Sequence, residues 1–262
     1  MFWNKFSEWQ TAEVSWDQKI KELEASHPLK RLKTLPQMPG IAERGIKRKG
    51  LFYLLRHDKK KVFWRHFFRS PLRYTFRLIK SYLQSPSYKR DGDFFLYGLS
   101  SQEKLFEDPN ALFLLGFSYC HKPFECPSGR FTDQCIHDPE HPVCRQCFIG
   151  KCANAAPANA QLLWIPTIHY IGEKIFDAIA NNPKRNVRFL ITACEMSLEM
   201  FGDWGNMVGA KGIGVRLDGR ICNTMKAFEL SEQGIKPGLT VVLKHTEERI
   251  LNLLRLARDF YR

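Results

Sequence analysis

Apolar and polar positions change rhythm along this chain of 262 residues. Between residues 44 and 90, aromatic and aliphatic side chains recur at helical spacing among basic ones. Phe63, Trp64, Phe67 and Phe68 form one set, and Leu72, Phe76, Ile79 and Leu83 another. Arg65, Arg69, Arg73, Arg77 and Lys80 are interleaved with them. That period predicts helices, with Pro71 opening the second and Ser85-Pro86 closing it. A polar stretch over 15–25 and a Pro-rich connector over 35–40 come before this region.

From residue 111 onward the pattern alternates. Ala111-Leu-Phe-Leu-Leu-Gly-Phe-Ser-Tyr119 is a continuous apolar run suited to a strand buried on both faces. Further strands are expected over 161–168, 186–193, 212–217 and 239–243, and helices over 171–180, from 196, near 225–231 and over 247–261. Such alternation predicts an α/β fold, a mostly parallel sheet flanked by helices. The chain is therefore read as a basic, mostly helical N-terminal region over 1–105 and an α/β cysteine-rich, metal-binding domain over 106–262.

Charge sharpens that division. Residues 1–100 hold 21 basic and 9 acidic side chains, whereas the rest hold 19 and 18, so nearly all of the net +13 lies in the first region. Basic helices with an aromatic face, here the run from Lys59 to Leu83, can lie on an anionic membrane surface, grip an acidic protein or bind phosphates. They can equally pack that face on the second region and leave the arginines solvated. Nucleic acid is the less favoured partner.

Cysteine concentrates the chemistry. Six of eight cysteines fall between residues 120 and 152: Cys120, Cys126, Cys135, Cys144, Cys147 and Cys152. Cys194 and Cys222 each follow a predicted strand. The first residues carry acidic side chains and no continuous apolar core, unlike a secretory signal. No stretch approaches the roughly 20 apolar residues that cross a bilayer. The expectation is a cytoplasmic protein, peripheral to a membrane if its basic helices dock there. Reducing compartments seldom keep structural disulfides, so metal binding leads over disulfides. Small buried core thiols are the plainer reading for any one of Cys120, Cys152, Cys194 and Cys222.

Parallel strands put their C-terminal ends on one edge, where α/β proteins build their sites. Cys120, Cys194, Cys222 and the cysteine loop all follow strands, so topology is expected to bring them together at that edge. Glu195, Asp218, Asn223 and Thr224 would stand around them, able to hydrogen-bond a sulfide or a substrate. Glu195 is the candidate proton-transfer group, or simply a first-turn carboxylate complementing a helix dipole. Zinc prefers two close ligand pairs, and only Cys144-x-x-Cys147 is one. Iron–sulfur clusters accept more varied spacing, with a Pro beside a ligand as at Cys126-Pro127. His121, His137 and His141 could complete either kind of site.

The run Cys126-Pro, Cys135, Cys144-x-x-Cys147-Phe-Ile-Gly150 resembles the cysteine loop of the prokaryotic domain-of-unknown-function family 116. So do Ile191-Thr-Ala-Cys194-Glu195 and Leu217-Asp-Gly-Arg-Ile-Cys222-Asn223-Thr224. The likeness covers roughly 111–230, and it departs at His141, where the family loop tends to carry another cysteine. It implies an iron–sulfur protein and does not specify a reaction; eight cysteines would suffice for one or two clusters of the 4Fe-4S kind. Two function classes follow. One is an iron–sulfur protein in electron transfer or sulfur donation during biosynthesis of a cofactor or modified metabolite, with a partner protein. In it Cys194 and Cys222 hold a second cluster or act as thiolates, and Asn223 and Thr224 contact the bound group. The other is a zinc-stabilised binding module docking through its basic helices.

Overall fold

Leu112–Ser118 carries no charged side chain and is flanked on both edges by other strands, so it buries both of its faces. It is strand β3 of a computed structural model that describes residues 46–84, 88–219, 221–222, 225–236 and 240–260. The other strands of its sheet are β1 (Lys89–Asp91), β2 (Phe94–Tyr97), β4 (Ala160–Ile165), β5 (Val187–Ala193) and β6 (Lys211–Arg216). Their order is β1-β2-β6-β5-β3-β4. Strands β3 to β6 run parallel, and β1 and β2 form an antiparallel hairpin on β6. The protein is thus an α/β fold with a mostly parallel six-stranded sheet flanked by helices.

Nine helices are described: α1 (Ile46–Arg56), α2 (Val62–Phe67), α3 (Pro71–Leu83), α4 (Pro142–Gln146), α5 (Phe148–Ala155), α6 (Ile168–Asn181), α7 (Glu195–Val208), α8 (Met225–Ser231) and α9 (Lys244–Phe260). Phe113, Leu115 and Phe117 point to one face and pack with Ile149 of α5 and Ile250 and Leu254 of α9. Leu114, Phe189 and Ile191 point to the other, against Ile171 and Ile175 of α6 and Leu198 and Phe201 of α7. Strand β3 therefore leaves through α4 and α5 on the first face, and its neighbour β5 leaves through α7 on the second. Neighbouring parallel strands whose connections depart to opposite faces open a crevice at their C-terminal ends. Here that crevice lies between the ends of β3 and β5.

Three expectations are corrected. The division at residue 105 cuts through the sheet, because β1 and β2 belong to it. The segment 239–243 is not a strand of the main sheet: β8 (Thr240–Val241) pairs antiparallel with β7 (Asp218–Gly219) in a separate ladder. Residues 166–168 leave the predicted strand over 161–168, since Thr167 caps α6 by accepting from the Tyr170 amide at 3.2 Å.

Helices α1 to α3 pack on this body. Phe63 meets Trp204 edge-on with ring centroids 4.3 Å apart. His66 stacks between Phe176, at 4.6 Å, and Tyr74, at 5.2 Å. Ser81 Oγ donates to Asp203 Oδ1 at 2.8 Å and accepts from Asn206 Nδ2 at 2.9 Å. Helix α3 thus buries Tyr74 and Ser81 against the body, and its stripe of Leu72, Phe76, Ile79 and Leu83 faces outward.

Two measurements check this packing. A Cβ on Gly212 would fall 2.2 Å from the Phe189 carbonyl oxygen, whereas one on Gly172, inside α6, would meet nothing within 4 Å. Gly212→Ala should destabilise by about 1–3 kcal/mol, and Gly172→Ala should stabilise by about 0.5–1 kcal/mol, both read by urea denaturation. His66 tests the other face. Burial, with Arg69 nearby, lowers its pKa below the ordinary value of 6.5. The unfolded chain then takes the proton first, so stability should fall as pH drops below about 6.5. His66→Phe, which keeps the stacking, should lessen that fall when Tm is followed against pH.

Candidate functional site

Past Ser118 the chain leaves the sheet in a tight turn, Tyr119–His121, in which Ser118 Oγ accepts from the Cys120 amide at 3.3 Å. All eight cysteines are free thiols. They sort into four, three and one.

The four are Cys126, Cys135, Cys144 and Cys147, which line one small cavity together with Lys122, Val143 and Ile149. Pro142 starts α4, and the Cys147 amide donates back to the Val143 carbonyl at 3.0 Å, closing a turn that carries Cys144 and Cys147. Helix α5 sits directly on that turn, since a Cβ on Gly150 would lie 2.4 Å from the Cys144 carbonyl oxygen. Burial pushes the thiols of Cys135 and Cys144 up and that of Cys147 to about 12. Backbone amides oppose this: those of Gly150 and Ile149 donate to Cys147, that of His137 to Cys135 and that of Asp138 to Cys144. Amides aimed at sulfur favour the thiolate, the form that binds metal.

Lys122 organises the loop around them. Its ammonium is almost fully buried and donates to the carbonyls of Gln134 at 2.6 Å, Thr132 at 3.0 Å and Gly129 at 3.3 Å, and to Thr132 Oγ1 at 3.1 Å. Burial lowers its pKa, and the Cys126, Cys135 and Cys147 sulfurs pull it back up.

The three are Cys120, Cys194 and Cys222, which line a second cavity at the β3–β5 crevice with Ser118, Thr192 and Ser197. Cys120 follows β3, Cys194 follows β5 as the residue before α7, and Cys222 follows β7. Lys236 Nζ donates to Cys222 Sγ at 3.2 Å, and Cys194 Sγ lies 3.2 Å from Ser197 Oγ. The Cys194 thiol hydrogen-bonds Cys222 and, with the Lys236 charge, draws the Cys222 pKa well down. The same bond, with burial, holds Cys194 up, and burial raises Cys120. Lys236 is fully enclosed, yet its pKa rises, because the three sulfurs outweigh burial. Arg130, from the loop, ties together two backbone carbonyls on the three-thiol side: its NH2 donates to that of Cys120 at 3.0 Å and its NH1 to that of Lys236 at 2.9 Å.

The remaining predicted residues fall elsewhere. Cys152 is buried in the core between α5 and α9 and lines neither cavity. Glu195 is buried in the first turn of α7, where its carboxylate meets Arg90 at 3.0 Å, and it too lines neither cavity. Asp218 is held by Arg216 at 3.3 Å and by the Gly219 amide at 2.7 Å, in a buried network that includes Asp93. Asn223 and Thr224 lie outside the described residues. His141 caps α4, its Nδ1 accepting from the Val143 amide at 3.2 Å, and Cys135 takes the fourth place at the cavity. His137 Nδ1 lies 3.1 Å from the Cys135 carbonyl. His121 Nε2 lies 2.8 Å from Thr192 Oγ1, and burial pushes its pKa to about 3. Among the described residues, no three His, Cys, Asp or Glu side chains are arranged to hold a single ion.

Comparison with protein-family models, with curated proteins and with solved structures gives no match. The reading therefore rests on the chain's own residues. Sequence reasoning missed Lys122, Lys236 and Arg130, and no motif marks them: one lysine or arginine among forty is assigned to the surface by default. Lys122→Met should strand the three carbonyls of the loop. Unsatisfied buried acceptors cost about 1–3 kcal/mol, so Tm should fall and limited proteolysis should cut within 123–141.

Proposed function

We propose that this is an iron–sulfur protein acting in electron transfer or sulfur donation, with its first cluster on Cys126, Cys135, Cys144 and Cys147. The observation that carries the reading is four unbridged thiols around one cavity, three of them receiving backbone amides. Four thiolates suit a soft cation, either zinc or an iron–sulfur cluster. A tetrahedral zinc with bonds of about 2.3 Å needs its sulfurs roughly 3.8 Å apart around one point. Cluster ligands sit on separate irons and need not converge. Only Cys144-x-x-Cys147 is a close ligand pair, so the spacing suits a cluster better than a zinc knuckle. The resemblance of residues 111–230 to the family named above implies the same cofactor.

When bound, a cluster supplies one-electron transfer or labile sulfide. The protein's residues have their own tasks. Lys122 holds the loop closed and offsets negative charge on the Cys126, Cys135 and Cys147 sulfurs. Val143 and Ile149 keep water from them. At the crevice, Cys120, Cys194 and Cys222 form a second thiol site, for a second cluster or a reactive thiolate. Lys236 stabilises the anionic form of Cys222 there. A partner protein would exchange the electrons or accept the sulfur.

Anaerobic purification, the visible spectrum and counts of iron, acid-labile sulfide and zinc test this. Brown protein with sulfide is expected. Cys135→Ser or Cys147→Ser should lower the iron content, and Cys152→Ala should leave it intact. Stoichiometric zinc without sulfide, even after reconstitution, would replace the cluster with a zinc-stabilised binding module.

A further inference from the structure

Helix α3 lies on α7 with its least apolar side inward. Tyr74 and Ser81, seven residues apart, are buried, and Leu78 between them is half-buried. The opposite side carries Leu72, Phe76, Ile79 and Leu83, which are 88, 70, 55 and 78 % exposed. Phe68, at the end of α2, extends the stripe and is 68 % exposed. Water-exposed side chains of this size, in one continuous row, are unusual on a folded surface and mark a contact.

The flank of that row is basic. Arg73 and Lys80 follow Leu72 and Ile79 by one residue on the helix, Arg65 and Arg69 lie on α2 and in the turn after it, and among the described residues none of the four has a carboxylate partner. Helix α3 contains no acidic residue at all. Three occupants compete for such a face. A second copy would bring two rows of unpaired cations together, which like charge opposes. Nucleic acid would meet the cations but leave the Leu and Phe side chains in water. An anionic bilayer satisfies both halves: an amphipathic helix sinks its apolar side to the headgroup boundary while flanking arginines and lysines meet lipid phosphates.

We propose that α3, with the end of α2, is a peripheral docking surface for an anionic membrane, lying flat on the bilayer with the Leu72–Leu83 stripe inserted. No helix among the described residues is long and apolar enough to cross a membrane, so this is adsorption and not spanning. The inference stands on the surface alone and does not depend on any cluster.

Flotation of the full chain with vesicles tests it, using phosphatidylcholine alone and phosphatidylcholine mixed with phosphatidylglycerol. Binding is expected only to the anionic vesicles. It should weaken between about 0.15 M and about 1 M salt, as the screening length shrinks from about 8 to about 3 Å. One basic side chain near such a surface is worth about 1 kcal/mol, a fivefold change in affinity. Replacing Arg65, Arg69, Arg73 and Lys80 with Gln should therefore cost several hundredfold. Leu72→Asp with Phe76→Asp should abolish binding while leaving Tm and iron content unchanged, because neither side chain is packed. Equal binding to neutral vesicles, or binding insensitive to both sets of changes, would overturn the proposal. A dimer that the Asp pair dissociates would assign the face to a second copy. A fall in Tm with the Asp pair, with vesicle binding unaltered, would assign it to packing within the chain.

Discussion

Everything in this molecule is arranged around a strand that has no free side. β3 is paired through its backbone on both edges and covered by helices on both faces. Burial of that kind excludes charge along the strand, so polar and reactive groups can enter only where it ends. Cys120 and Lys122 are the first such groups after Ser118. Cys120 stands at the crevice that opens where the two connections depart to opposite faces, Cys194 arrives there at the end of β5, and Lys122 turns to the four-thiol cavity.

The parallel strands and their helices were legible because apolar runs such as 111–119 and 186–193 carry a period that survives without knowledge of the fold. The β1–β2 hairpin was not. Lys89–Asp91 is exposed at each position and Phe94–Tyr97 is four consecutive apolar residues, so neither shows alternation. The stripe on α3 was visible as a period, but period alone does not say which side packs. The helix buries Tyr74 and Ser81 because Asp203 and Asn206 offer Ser81 hydrogen bonds, a choice made by the partner helix.

The cysteines show the same boundary between local and distant information. Close spacing marked Cys144 and Cys147, and strand ends marked Cys120, Cys194 and Cys222. Which thiols share a cavity depended on the path of the loop between 122 and 141. That path is set by a buried ammonium on carbonyls ten and twelve residues away. Cys152 and Glu195 look equivalent to their neighbours in sequence, yet one is core and the other an ion-pair partner of Arg90.

Cys120 and Lys122 are two residues apart on either side of His121, yet the first serves the three-thiol cavity and the second the four-thiol one. Arg130, from the far side of the loop, grips the backbone of Cys120 and of Lys236 together. Among the described residues none lines both cavities, but the loop that carries the four thiols also reaches the backbone at the crevice through Arg130. If ordering of that loop were felt at the crevice through Arg130, thermodynamic reciprocity would require an occupant of the crevice to change the affinity of the loop's thiols by the same factor.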